Sequence, residues 1–203
     1  MPNQSIAMLF LCAGASRRMG RSKALLPWQA STILGHHWNL FQSLEKYDPW
    51  IVTQKNDEPL VAELERVGWP DAHRVMNPLA PEGDMMDSIR YGVSACLKHD
   101  YTAIGIALID QPLIDHSTFQ ILADSVRRYP DSILQPAMQG RRGHPVLLPR
   151  SIAEQLVSSN AETLKTFLSE NERIRASIEV DDSGILTDLD TPHAYQTHAP
   201  QLT

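Results

Sequence analysis

The chain of 203 residues carries 18 Lys and Arg against 24 Asp and Glu, a formal net charge of −6. That balance excludes the broad basic face of a nucleic-acid binder, and no apolar run approaches the roughly 20 residues that span a bilayer. Two cysteines, Cys12 and Cys96, match neither a zinc spacing nor a disulfide framework, and the N-terminus lacks a signal-peptide pattern, so the expectation is a single cytoplasmic domain over residues 1–203, with no nucleic-acid or membrane partner.

In chain order, residues 6–11 read as a buried strand ended by Gly14. Ser31 reads as the N-cap of a helix with Ile33, Leu34, His37, Trp38, Phe41 and Leu44 on one side. A short strand at 50–53, a helix at 59–67 stopped by Gly68 and Pro70, and a strand at 73–76 come next. Residues 86–98 repeat the helical period through Ile89, Val93, Ala95 and Leu97. The most apolar strand candidate, 103–109, is closed abruptly by Asp110-Gln111-Pro112. A helix at 116–128, a strand at 132–136, helices near 151–157 and 161–169, and a strand at 174–180 complete the pass, with 137–149 as the longest loop. This alternation predicts an α/β fold: a mostly parallel twisted sheet with helices on both faces.

Ligands of such sheets bind beyond the carboxyl ends of the strands, near a reversal of strand order. Three segments occupy strand ends. The first, LFLCAGASRRMGRSK (9–23), sets Arg17, Arg18, Arg21 and Lys23 in a turn after a strand, where backbone N–H groups and cations can meet phosphate oxygens. Its spacing is neither a Walker A loop nor the dinucleotide Gly-x-Gly-x-x-Gly fingerprint, and a solvated basic turn is the plain alternative. The second, ALIDQP (107–112), places Asp110 where an isolated charge is costly unless paired or holding a metal; a turn-starting aspartate is the alternative. The third, ILTDLDTPHAYQ (185–196), puts Asp188 and Asp190 two residues apart, so that on an extended segment both face one way. Asp190-Thr191-Pro192 equally suits a helix N-terminus.

Together these segments resemble the MobA-like nucleotidyltransferases. LCAGASRRMGRSKALLP is similar to the family's signature loop, and ALIDQPLID to its Gly-Asp-Gln-Pro segment. NPLAPEGDMMDSIRYG (77–92), RRGHPVLL (141–148) and DLDTPHAY match further family stretches in order, and the branch most resembled is the molybdenum cofactor cytidylyltransferase type. The resemblance implies a Rossmann-like nucleotidyltransferase fold and transfer of CMP from CTP to the phosphate of a molybdopterin-type cofactor, releasing pyrophosphate. It implies a phosphate cradle from Cys12, Ala13, Gly14, Ala15, Ser16 and Gly20, with Arg17 and Lys23 neutralising charge. Magnesium (Mg2+) would lie on Asp110, assisted by Asp190. Arg141, Arg142 and His144 would bind the acceptor, and Ser88 would help select the base. Ala13, where guanine-using relatives carry glycine, implies CTP over GTP. The sequence departs from the family pattern at Cys12, at Ile109 and at Asp84, which interrupts a Gly-Met pair after Glu82.

The acceptor phosphate is already an anion, so the chemistry requires no general base; His36 and His37 read as structural, and Met85 and Met86 as core or cleft filling. The alternatives are GTP as donor, a sugar or alcohol phosphate as acceptor, or a non-catalytic nucleotide-binding protein that delivers the cofactor to a molybdoenzyme partner. A Rossmann-type oxidoreductase fails on the missing glycines.

Overall fold

The computed structural model describes residues 5–14 and 22–199. The first half of the chain runs β1 (Ile6–Leu11), a hairpin of β2 (Pro27–Trp28) and β3 (Ser31–Thr32), α1 (Ile33–Gln42), β4 (Tyr47–Gln54), α2 (Glu58–Val67), β5 (Arg74–Asn77), α3 (Met85–Cys96) and β6 (Ala103–Leu108). The second half runs α4 (His116–Arg128), β7 (Ile133–Met138), β8 (Arg141–Arg142), β9 (Val146–Pro149), α5 (Arg150–Ser158), α6 (Leu164–Glu170), β10 (Arg175–Glu179) and α7 (Pro192–His198). No helix among the described residues is long and apolar enough to cross a membrane.

The main sheet has the order β10-β7-β9-β6-β1-β4-β5, with β8 paired to β7. Strand β1 pairs in parallel with both β4 and β6, and β10 is parallel to β7. The chain winds outward through β4 and β5, then returns to lay β6 on the other side of β1. That reversal opens a crevice at the carboxyl ends of β1 and β6, where ligands of α/β sheets bind. Strands buried on both faces need no polar alternation, which is why IAMLFL and AIGIAL read as continuous apolar runs.

Successive residues of β1 feed opposite cores. Ile6, Met8 and Phe10 join α1, α2 and α4 through Phe41, Leu64 and Phe119. Ala7 and Leu9 join α3, α5 and α6 through Ile89, Leu156 and Phe167. Phe10 anchors the first face, its ring edge-on to Phe41 at 5.3 Å and to Trp69 at 6.0 Å between centroids. Truncating such a residue to Ala typically costs about 3–5 kcal/mol.

Two expectations are corrected. The N-cap of α1 is Thr32, not Ser31: Thr32 Oγ1 accepts from Gly35 N at 3.0 Å and donates to Glu63 Oε1 at 2.5 Å. Ser31 is instead held in the β2–β3 hairpin, where its Oγ accepts from Arg66. Residues 137–149 are not a loop. Gln139 and Gly140, both at positive φ, turn the chain between the paired Met138 and Arg141, and β9 then enters the sheet antiparallel between β6 and β7. Four residues, VLLP, preceded by Pro145 and ending in Pro149, are too short a run to announce a central strand; pairing on both sides makes it one.

Asp84, the interruption in the family pattern, caps α3. Its carboxylate accepts from Asp87 N at 2.9 Å while Asp87 returns a carboxylate to Asp84 N at 3.1 Å, a reciprocal capping box.

His37 is buried beneath the crevice, with its Nε2 3.1 Å from the Ile109 carbonyl oxygen and its ring against Phe10. Burial, with the neighbouring His36, pulls its pKa down to about 3. His36 is also lowered by burial and lies 3.0 Å from the Pro112 carbonyl oxygen. Both are structural, as their positions in α1 suggest. Between the unfolded value and about 3, the unfolded chain binds a proton at His37 that the native state does not, so stability falls as pH falls through that window. One group depressed in this way should lower unfolding free energy by about 2 kcal/mol between pH 7 and pH 5. Urea titrations at the two pH values check this, and His37→Gln should reduce the pH dependence by that amount.

Candidate functional site

The crevice brings the three strand-end segments together. Cys12, Ala13 and Gly14 continue from β1; Cys12 N donates to Val52 O at 2.8 Å, keeping this stretch in line with the sheet. Ala15, Ser16, Arg17 and Gly20, with Arg18 and Arg21, lie outside the described residues. The chain resumes at Ser22 and makes a short 3-10 turn over Lys23–Leu25. On the neighbouring strand, Asp110 lies just beyond the end of β6, and a carboxy-terminal segment returns through the 3-10 turn Ser183–Leu186 to Asp190.

Lys23 ties the three together. Its Nζ donates to Asp110 Oδ2 at 2.6 Å and to Asp190 Oδ1. The Lys23 and Asp110 side chains are only 16% and 14% exposed, whereas Asp190 is 44% exposed. Burial works to lower the Lys23 pKa, but its bonds to the two carboxylates outweigh this and hold it above the usual value. Burial pushes Asp110 up, Lys23 pulls against it, and the charges of Asp188 and Asp190 add to the rise. Two carboxylates therefore converge on one cation at the mouth of the crevice.

Asp188 and Asp190 have separate partners. Asp188 Oδ1 accepts from Gln111 Nε2 at 2.7 Å, and Leu189 N, between the two, donates to Asp110 O at 2.9 Å. Pro192 then opens α7, capped by the Thr191 hydroxyl. The helix-start reading of this segment is realised from Thr191 onward, while 187–190 form no strand.

A cavity of about 220 Å³ lies over these groups, lined by Cys12, Ala13, Gly14, Lys23, Pro81, Met85, Ser88 and Asp110 among others. Among the described residues a Cβ on Gly14 would meet nothing within 4 Å, so no clash with them requires a glycine at this position of the cavity wall. Ser88 is 6% exposed and accepts from Asn77 Nδ2 at 2.9 Å, which leaves its hydroxyl hydrogen available. Asn77 is in turn fixed by Leu79 N at 2.9 Å. Burial raises the Cys12 thiol far above its ordinary pKa, with the charges of Asp110 and Asp57 adding to the rise, so it remains protonated.

A second cavity, of about 460 Å³, shares Leu11, Met85 and Leu108 with the first and abuts it. Its polar lining is Gln135, Arg142, His144, Thr163, Lys165, Ser169 and Arg175. Arg142 is anchored by Glu172 at 2.6 Å and Ser177 at 2.7 Å. Arg175 donates to Gln135 Oε1 at 2.7 Å and pairs with Glu172. Burial lowers the His144 pKa against the pull of the Ile106 carbonyl and of Asp188 and Asp110.

Of the expected acceptor residues, Arg142 and His144 line this cavity and Arg141 does not. Arg141 and Arg142 are adjacent on β8 and so point to opposite faces. Gln135, Lys165 and Arg175 were not expected here. They come from three different elements, and only the capped start Thr163-Leu164-Lys165 carries a local signal, as a helix N-terminus.

The sequence profile of the MobA-like NTP transferase domain matches residues 8–174. The chain belongs to that family. A molybdenum cofactor guanylyltransferase of Pseudomonas paraeruginosa is 29% identical over 165 residues, covering 77% of this chain and 76% of that one. A molybdenum cofactor cytidylyltransferase of Escherichia coli is 25% identical over 202 residues, 98% of each chain. The solved structure of a nucleotidyl transferase from Methanothermobacter superposes with a TM-score of 0.71 at 17% identity, over 95% of each chain, and so shares the fold. The chain thus has the Rossmann-like fold of nucleotidyltransferases.

The geometry ranks the carboxylates. Asp110→Asn replaces the more buried partner of Lys23 and should lower turnover by on the order of several kcal/mol at the transition state, in a protein that remains folded. Asp188→Asn keeps an oxygen for Gln111 and should cost less than tenfold, about 1.4 kcal/mol. Steady-state kinetics with circular dichroism as the folding control checks the ranking, which equal losses would refute.

Proposed function

We propose that the protein is a nucleotidyltransferase that moves CMP from CTP to the phosphate of a molybdopterin-type acceptor, with release of pyrophosphate. The observation that carries this reading is the pair of abutting cavities with the Lys23–Asp110–Asp190 cluster at the strand ends beside them. The smaller one suits the triphosphate and base. The larger, lined by Arg142, Lys165 and Arg175, suits an acceptor that brings an anionic phosphate.

An acceptor phosphate oxygen attacks the α-phosphorus, the bond to the β-phosphate breaks, and pyrophosphate leaves with the electron pair. No side chain needs to take a proton, because the nucleophile is ionised at neutral pH. The work of the chain is to hold two polyanions in line and offset charge on the leaving group. Lys23, released from its carboxylates, can donate to the triphosphate, and Gly14 leaves room for a phosphate to approach the backbone. Burial disfavours a charge on His144, so its ring is suited to packing or hydrogen bonding with the acceptor.

Asp110 and Asp190 also fit magnesium. Two carboxylates that converge on one ammonium offer the hard oxygen ligands that magnesium takes, so Asp110 and Asp190 would hold it. Among the described residues no cluster of three or more His, Cys, Asp or Glu could hold a metal alone, so substrate oxygens would complete the site. When bound, the ion would supply positive charge to the pyrophosphate as it departs.

The base assignment rests on Ala13. It is 5% exposed and packs into the α3-side core while lining the smaller cavity, so its methyl group narrows the wall where glycine would leave room. The cytidylyltransferase relative also aligns along the whole chain, whereas the guanylyltransferase relative covers about three quarters. Discrimination of about 1–3 kcal/mol, roughly ten- to two-hundred-fold, is what one steric contact and a few base hydrogen bonds can supply. The deciding experiment measures pyrophosphate release and product mass with equal CTP and GTP, with and without the molybdopterin cofactor. Cytidylyl product should dominate, and Ala13→Gly should relax the preference without reversing it. Predominant guanylyl product would overturn the base assignment. Transfer only to another phosphorylated acceptor would overturn the acceptor.

Lys23 provides a further check. Lys23→Ala should reduce kcat/KM far more than Arg21→Ala, since Lys23 meets both carboxylates of the cluster whereas Arg21 occupies a variable position of the resembled loop. Equal losses would indicate a diffuse electrostatic patch.

A further inference from the structure

Asp182 is a carboxylate that nucleotidyl transfer does not use directly, yet it is only 5% exposed. Its Oδ2 accepts from Asp115 N at 2.9 Å and from Thr118 Oγ1 at 2.7 Å, and its Oδ1 accepts from Gly184 N at 2.8 Å. The first two donors belong to the amino end of α4. Asp115 occupies the N-cap position there, but its own side chain makes no capping bond. A residue far along the chain therefore caps this helix, and its other oxygen grips the start of the carboxy-terminal site segment.

Between Gly184 and Asp190 the chain is bound to the crevice at several points. Gly184 lies so close to the Leu113 carbonyl that a Cβ would collide with it. Ile185 O accepts from His144 N at 3.3 Å and from Gln111 Nε2 at 3.4 Å. Asp188 holds Gln111, Leu189 N holds Asp110 O, and Asp190 meets Lys23. The segment is thus pinned at one end by Asp182 and at the other by Lys23, and it contacts both the Asp110 turn and the residue before Pro145. A buried carboxylate with three donors is a far stiffer anchor than a hydroxyl or an amide at the same place.

We propose that Asp182 is a positioning residue for nucleotidyl transfer. It touches neither substrate nor reacting atoms. It sets where Asp188 and Asp190 stand relative to Asp110 and Lys23, and where His144 faces the acceptor cavity. Its kinetic consequence rests on the nucleotidyltransferase reading; its structural consequence does not.

The test uses Asp182→Asn, which keeps the shape but leaves one oxygen acceptor for donors on two sides. In the full chain, kcat should fall about 10- to 100-fold, as a displacement near 1 Å does, while KM for the triphosphate changes less than about threefold. Hydrogen exchange should quicken in 183–190 and 141–145 and stay slow in β1 and β6. Gly184→Ala displaces the same segment with Asp182 intact and should reproduce the kcat loss, and the double variant should be no worse than either alone. Thr118→Val removes one of the three donors and should give an intermediate loss; it carries the test if Asp182→Asn does not fold. A variant that melts earlier but keeps the wild-type kcat, or unchanged exchange in 183–190, overturns the proposal. If wild-type protein transfers no nucleotide from any of the four triphosphates, the functional reading fails and the exchange measurement alone decides the positioning role.

Discussion

The site depends on a carboxylate placed just beyond an apolar strand in the middle of a sheet. Asp110 is largely withdrawn from water, and a charge in that position is costly unless a partner meets it. Lys23 supplies the partner, and in doing so joins the residues after β1 to those after β6. Asp190 extends the arrangement to a third part of the chain. One electrostatic requirement thus draws together groups that are far apart in sequence, at the place where the strand order reverses and a crevice must exist. The same convergence leaves two carboxylates aimed at one point, an arrangement open to exchange of its cation.

Around that centre the packing supports the chemistry from both faces of the sheet. Behind it, His37 holds the Ile109 carbonyl next to Asp110, and Phe10 locks the ring in the aromatic cluster. Beside it, Asn77 holds Ser88 and the Asp84–Asp87 box fixes the start of α3, so that the wall carrying Met85 and Ser88 is rigid where it meets the cavity. On the far side, the antiparallel β9 sits between β6 and β7 and sends residues 143–145 across the strand ends. Gly143 there approaches the Ile185 backbone too closely for any side chain. The two cavities consequently share a wall formed by Leu11, Met85 and Leu108.

Hydrophobic patterning made most of the fold legible. Most apolar strands and amphipathic helices stand close to where periodicity put them, because burial on a sheet face or along a helix stripe is a local rule repeated many times, although β4 starts three residues before the expected strand and α6 three residues after the expected helix start. The features that escaped were decided by partners. Thr32 is the cap because its hydroxyl reaches Gly35 N, whereas the neighbouring Ser31 hydroxyl accepts from Arg66. The four residues of β9 become a central strand only because β6 and β7 are already there to pair with them. No property of VLLP alone distinguishes a central strand from a loop end.

The candidate site divides along the same line. From residue types and strand ends alone, Lys23, Asp110 and the 188–190 segment are recognisable, since a cation in a turn and a carboxylate after an apolar strand are costly without a purpose, and family resemblance places them in order. Sequence also marks Ala13 and Gly14 as the loop's small residues. Only the tertiary structure separates Asp188, which holds Gln111, from Asp190, which meets Lys23. It alone puts Arg142 beside Lys165 and Arg175 while turning Arg141 away, and it alone shows Asp182 capping a helix whose N-cap residue lies 67 residues earlier in the chain. The reason is physical: which partner satisfies a buried polar group depends on distances across the fold, and a linear pattern records the need for a partner without recording who meets it.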